Sequence, residues 1–288
     1  MKTTRITSAF KGLIAILAIT AGTTSCTEKI DIELDEGYTR LVVEGIVTDD
    51  TAGNIVTLAK TTSYFYSEVP PAVSGAQVSV FDGEQTISFS ETEPGVYTAP
   101  EGFRGQPGLT YTLNILLAEE IGGYREYSAA SYLNQPMIMD SIQSVFRDDW
   151  GKDGFYEIKC YAQDPTTTDF YMFKVLKNGQ LMTDSLNLVF VTDDRFYNGN
   201  YTNGIGIGYL NQSYEKYKVE AGDILSVKSS RITEEYFRFV TQLQIQSGYQ
   251  SPLFSGPPAN IKGNINHGAI GFFAAYPVTY SHSVAPAK

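Results

Sequence analysis

The chain has 288 residues, 21 Lys and Arg against 32 Asp and Glu, and a formal net charge of −11. No cluster of basic residues interrupts that acidic balance, which argues against nucleic acid as a partner, since such binding rests on neutralising phosphates. Twenty Tyr, sixteen Phe and 26 Gly beside only two Cys suit a β-rich extracytoplasmic protein rather than a disulfide scaffold.

Residues 1–25 have the layout of a secretory signal. Lys2, Arg5 and Lys11 form a positive start with no acidic residue, and 12–19 are apolar. That run is shorter than the roughly 20 residues a membrane-spanning helix needs. Ala21, Gly22, Thr23, Thr24 and Ser25 then supply small residues for cleavage. Cys26 follows them directly. The arrangement resembles the lipobox of bacterial lipoproteins, in which the cysteine is acylated and becomes the first residue of the mature chain. Lipidation of Cys26 leaves Cys160 as the sole thiol, so no internal disulfide is expected. Cys160 sits in a strand-like alternation, 156–161, and reads as a buried small hydrophobe. Behind Cys26 come Glu28, Asp31, Glu33, Asp35 and Glu36 against Lys29. This acidic tether, 26–37, resembles the surface-export signal of Bacteroidota lipoproteins.

From Tyr38 the chain reads as short strands divided by turn residues. The expected strands are 39–48, 54–60, 76–81, 86–89, 95–98 and 111–116, at about ten-residue spacing, which indicates a β-sandwich. Gly75-Ala76 entering one strand and Gly95-Val96-Tyr97 forming another resemble transthyretin-like and carboxypeptidase-regulatory-like domains. That resemblance implies an immunoglobulin-like sandwich over 38–134. Asn134-Gln135-Pro136 breaks the pattern, because proline biases the preceding residue to an extended backbone, and marks the start of a second, β-rich domain, 135–288. Strands are expected there over 138–146, 155–161, 171–176, 186–192 and 224–229, with Asn178-Gly179 as a hairpin turn. One helix is expected at about 233–247. Ile232, Tyr236, Phe239, Val240 and Leu243 share a face at 3.6 spacing. Thr233 is placed to cap it, Glu234 and Glu235 suit its first turn, and Ile232 with Phe237 suits a hydrophobic staple. Residues 268–276 read as a last buried strand. The fold class expected is therefore mainly β, with one packing helix.

Four segments, "YTRLVVEGIVTDD" (38–50), "PAVSGAQVSVFDG" (71–83), "ITEEYFRFVTQLQIQ" (232–246) and "PPANIKGNINHGAIGFFAAYPV" (257–278), occur in that order after the lipobox. So arranged, the chain resembles the Bacteroidota lipoproteins grouped as domain of unknown function 4249. The resemblance implies an outer-membrane lipoprotein, often encoded beside a TonB-dependent receptor. It implies no enzyme activity and supplies no catalytic residues.

The residues themselves offer little chemistry. His267 and His282 are the only histidines, and their spacing is not that of zinc ligands. His267 reads as a solvated turn residue. The loops beginning at Asp149 and Asp194 lack the oxygen ligands of a calcium loop at the third and twelfth positions. Neither a nucleophile elbow nor a phosphate-binding glycine loop is present, and the alternation Gly204-Ile205-Gly206-Ile207-Gly208 precedes no helix pattern. No catalytic residue, metal or cofactor is therefore expected. What remains are aromatic loops: Tyr64, Phe65 and Tyr66; Trp150; and Phe196, Tyr197 and Tyr201. Rigid rings among Asn and Gly suit contacts to a ligand or partner.

These readings converge on a lipid-anchored binding or accessory protein of the outer membrane. Its expected partners are the membrane, through Cys26, a TonB-dependent receptor, and a small nutrient, glycan or peptide. Cell-surface display is expected, with the periplasmic face as the alternative. Two other functions stay open on the sequence: a surface glycan or peptide hydrolase, and a structural envelope or adhesion module.

Overall fold

The computed structural model describes residues 39–62, 69–248 and 261–288. Its strands are β1 (Leu41–Thr48), β2 (Ile55–Lys60), β3 (Gln77–Phe81), β4 (Thr86–Glu93), β5 (Val96–Thr98), β6 (Thr110–Ile121), β7 (Tyr124–Tyr132), β8 (Ser141–Arg147), β9 (Phe155–Tyr161), β10 (Phe170–Lys177), β11 (Gln180–Leu181), β12 (Phe190–Asp193), β13 (Ile205–Asn211), β14 (Ile224–Ile232), β15 (Ile270–Tyr276) and β16 (Thr279–Val284). One α-helix, α1 (Glu234–Ser247), lies between β14 and β15. Among the described residues the protein is mainly β with one α-helix, as the sequence indicates. Among the described residues no helix is long and apolar enough to cross a membrane.

Period-two alternation builds the first core. Leu41, Val43 and Val47 of β1 are buried, as are Val56 and Leu58 of β2 and Tyr111, Leu113, Ile115 and Leu117 of β6, because successive side chains of a strand point to opposite faces. The strands run in the order β15-β1-β2-β5-β4-β3-β6-β7. Neighbours are antiparallel apart from β1 and β15, which pair in parallel from Val42 opposite Ile270 to Thr48 opposite Tyr276. A C-terminal strand thus completes the sheet begun at residue 41, and Tyr38–Lys288 form one compact unit. Gly45 makes room for this pairing. A Cβ there would lie 2.9 Å from Cδ2 of Phe273, a fully buried ring of the first core.

The two ends of this strand order meet at a seam sealed by side chains. Asn264 Nδ2 donates to the carbonyls of Phe273 on β15 (2.8 Å) and Ala130 on β7 (3.1 Å), while its Oδ1 accepts from Phe273 N–H (2.9 Å). Asn266 binds Ser128 of β7 through its backbone and its amide. Ser131 Oγ accepts from Ala275 N–H at 2.9 Å. The amides stand where a further strand's peptide groups would be, satisfying edge groups that are costly to leave unpaired.

The second core lies between the sheet β13-β9-β8 and the sheet β11-β10-β14-β16. Tyr156, Ile158 and Cys160 of β9 meet Tyr171, Phe173 and Val175 of β10 and Val227 of β14. Cys160 is buried, and burial pushes its thiol up to about 12, in keeping with a packing role. Asn178 (φ 49°) and Gly179 (φ 82°) make the expected hairpin turn. A third cluster joins the two halves. Tyr236, Phe239 and Val240 of α1 pack on Phe272, Ala274 and Tyr276 of β15 and on Met172 of β10. Thr233 caps the helix, its hydroxyl accepting from Tyr236 N–H at 3.3 Å.

Strands β7, β13 and β16 are absent from the sequence expectation. β7 opens with Tyr124-Arg125-Glu126, β16 alternates Ser with His, and β13 is interrupted by glycines, which weaken a strand signal and here accompany a bulge between Gly206 and Gly208.

Candidate functional site

The structure places the aromatic residues singled out by sequence in very different settings. Cys26, Tyr64, Phe65 and Tyr66 lie outside the described residues. Trp150 sits in the turn between β8 and β9 and is 37% exposed. Phe196, Tyr197 and Tyr201 lie on the connection from β12 to β13. Phe196 projects into solvent with 90% exposure and Tyr201 is half exposed, but Tyr197 turns inward against the second core. The two loops do not come together. Arg147 and Phe155, which bound the Trp150 turn, lie at one end of β9, and Cys160 opposite Ile205 lies at the other. Five residues of strand separate them, about 17 Å.

Around Trp150 the structure assembles residues that the sequence reading did not select. Tyr209 of β13 is opposite Glu157 of β9. Arg147 reaches Glu157 diagonally across the β8–β9 pair, donating from Nε to Oε2 at 2.8 Å, with Nη2 2.7 Å from the same oxygen. The guanidinium carbon also sits 5.5 Å from the Trp150 ring centre, within cation–π range. The Trp150 ring lies 6.0 Å from that of Tyr209 and 6.4 Å from that of Phe155, and Phe190 flanks Tyr209 at 6.3 Å. Glycine makes this grouping fit, since a Cβ at Gly206 would run into the Tyr209 hydroxyl and lie 2.9 Å from Glu157 Oε1. A signal for part of it was present in the sequence. Two strands flanking an Asp/Gly turn put Arg147 and Glu157 on one face near Trp150, whereas Tyr209 lay hidden in the glycine alternation.

Beneath the Phe196–Tyr201 loop lies a buried acidic cluster. Asp164, Asp169 and Asp194 each bring a carboxylate oxygen within 4.8 Å of the others. These are the side chains that could hold a cation, but they are engaged in holding the chain together. Tyr171 donates to Asp164 Oδ1 at 2.8 Å, Asp169 N–H donates to Asp194 Oδ2 at 2.7 Å, and Thr167 donates to Asp169 Oδ2 at 3.1 Å. Arg231 forms an ion pair with Asp169. The Asp194 carbonyl accepts from Tyr197 and Asn198 N–H, fixing the loop. Burial raises the carboxyls of Asp164 and Asp194 above the usual range, and hydrogen bonds only partly offset it. The arrangement is a loop clamp with Arg231 as its counter-ion. Spacings of five and 25 residues gave it no local motif.

Two lysines stand apart from this economy of pairing. Lys174 of β10 and Lys228 of β14 are directly opposite in register and half buried. Among the described residues neither forms an ion pair. Lys228 instead lies 5.7 Å from the Tyr280 ring centre. His267 occupies an exposed turn, at φ 55°, and stacks on Tyr124 with 4.1 Å between ring centres.

The fold and these groupings define a mainly β protein whose half-exposed aromatic face lies on a small three-stranded sheet. A family model described as Domain of unknown function (DUF4249) matches residues 27–281, and the chain belongs to that family. No curated protein matches it.

Proposed function

We propose that this protein is a lipid-anchored binding protein of the bacterial outer membrane, displayed at the cell surface. It works there beside a TonB-dependent transporter in the capture or gating of a nutrient. The observation that carries the reading is Cys26, set directly after a short apolar run and five small residues, with an acidic stretch behind it. The start of the family match at residue 27 supports it, as does the resemblance of the acidic stretch to the surface-export signal of Bacteroidota lipoproteins. Each buried methylene of an acyl chain contributes about 0.8 kcal/mol, and stable anchoring takes two or more chains. Confinement to the membrane plane raises the effective concentration of the body near a receptor in the same plane.

Intact-mass analysis of the mature protein tests the anchor: a diacylglyceryl-modified Cys26 at the N-terminus is expected, and Cys26→Ser is expected to leave the membrane fraction. An unmodified N-terminus, or a Cys26→Ser variant that stays membrane-bound, overturns the reading. Co-purification of a TonB-dependent receptor with the native protein tests the partnership, which fails if no such receptor is recovered.

A further inference from the structure

Trp150 is the only tryptophan of the chain, and it is the centre of the grouping on the outer face of β13-β9-β8. Tyr209 beside it is 45% exposed. Two half-exposed rings tilted by 41° to each other form an apolar platform. Next to them, Glu157 has one carboxylate oxygen tied to Arg147. No donor reaches Glu157 Oε1 and no acceptor reaches Arg147 Nη1 among the described residues. A carboxylate only accepts hydrogen bonds and a guanidinium only donates them. Arg147 keeps a third of its side chain exposed and Glu157 only 9%, so the pair presents a donor at the rim of the aromatic surface and an acceptor set just beneath it, with no net charge.

We propose that this face binds the rings of a neutral oligosaccharide. The C–H face of a pyranose packs on Trp150 and Tyr209, and its hydroxyls, which both donate and accept, meet Glu157 and Arg147. The pair itself is charge-balanced, and the exposed Asp148, Asp149 and Asp153 of the same turn, with the net charge of −11 on the whole chain, disfavour anionic ligands. The Gly206 bulge keeps side-chain volume away from the platform and from Glu157 Oε1. The inference names a ligand class for the binding role proposed above, and so rests on that role, but not on the anchor.

The position of Trp150 makes the test direct. The full-length protein, held in a detergent without a sugar headgroup, is titrated with cellohexaose, maltohexaose and xylohexaose while tryptophan emission is followed. A saturable change with at least one hexaose is expected. By calorimetry, Trp150→Ala and Tyr209→Ala are each expected to weaken that binding at least tenfold with circular dichroism unchanged, and Glu157→Gln several-fold. Should Glu157→Gln fail to fold, the two aromatic variants carry the test. No saturable change with any of the three, or Trp150→Ala binding within twofold of wild type, overturns the proposal. Failure here leaves membrane retention intact, whereas loss of retention in Cys26→Ser leaves sugar binding intact, so the two readings fail separately.

Discussion

Replacing Asn264 by Ala removes three hydrogen bonds from the seam between β7 and β15. The backbone N–H and C=O of Phe273 lose the partner that serves them both, and the Ala130 carbonyl loses a donor. Phe273 is fully buried, whereas Ala130 is exposed and can turn to water. Leaving a buried polar group unpaired costs about 1–3 kcal/mol. The two groups on Phe273 therefore put the expected loss at roughly 2–4 kcal/mol, with some water entry included. For a chain of this size each kcal/mol moves the melting temperature by about 2–4 °C, so a fall of roughly 4–16 °C follows. Urea unfolding followed by far-ultraviolet circular dichroism reads the energy, and hydrogen exchange at the Phe273 amide reads the place. Asn266→Ala is the control. Its amide accepts from the N–H of half-buried Ser128 and donates to that residue's hydroxyl, both bonds lying at the surface, and its loss is expected to cost about 1 kcal/mol. If Asn264→Ala costs less than about 0.5 kcal/mol, or if Phe273 stays as protected as in the wild type, the amide does not seal the edge and the reasoning fails.

Gly271 has φ 105°, and a Cβ there would run into the Val43 carbonyl oxygen; Gly271→Ala is expected to cost at least about 3 kcal/mol, and a soluble variant with near wild-type urea midpoint would contradict this. Lys174→Met removes one of two like charges held opposite each other, a repulsion worth roughly 0.2–1 kcal/mol. Burial, then Lys228, lowers the Lys174 ammonium below its ordinary value, with Glu44 opposing. Between that lowered value and the unfolded value near 10.4, the unfolded chain binds more protons, so wild-type stability rises with pH. Lys174→Met is expected to be more stable than wild type at pH 7 and to gain less on moving to pH 10; unfolding curves at the two pH values check both. Phe196→Ser is expected to change stability by no more than about 0.5 kcal/mol, and Tyr197→Ala to cost about 2 kcal/mol or more; equal effects would mean that the two rings are not divided between solvent and core.

Elements whose evidence is local were legible in the sequence. The helix was, because Thr233, Glu234, Glu235 and the apolar face from Tyr236 to Leu243 all specify one conformation over a short span. Strand β2 was, because its alternation is uninterrupted, and the Asn178-Gly179 turn was, because few residues accept two positive φ values. Partners distant in sequence were not. Nothing in residues 41–48 says that their parallel neighbour is 270–276. The pairing of Lys174 with Lys228, the meeting of Asp164, Asp169 and Asp194, and the closing amide of Asn264 all depend on a register that only the assembled sheets define. The aromatic loops show the same division. Composition picked out Trp150, Phe196, Tyr197 and Tyr201 alike, yet Tyr197 packs inward, and Trp150 gains its neighbours from strands on either side of its turn.

The parallel pairing of β1 with β15 sets an order of events during synthesis. Val42 waits for Ile270, so a nascent chain emerging from its N-terminus carries an open β1 edge until residues 270–276 have been made. Joining segments more than 200 residues apart costs about 5 kcal/mol in loop entropy, which only the intervening strands, folded first, can reduce. A chain cut short before residue 270 would expose the β1 backbone and the space beside Gly45 that Phe273 fills, a surface open to pairing with another chain. Completion of the first sheet therefore waits until synthesis has passed residue 276.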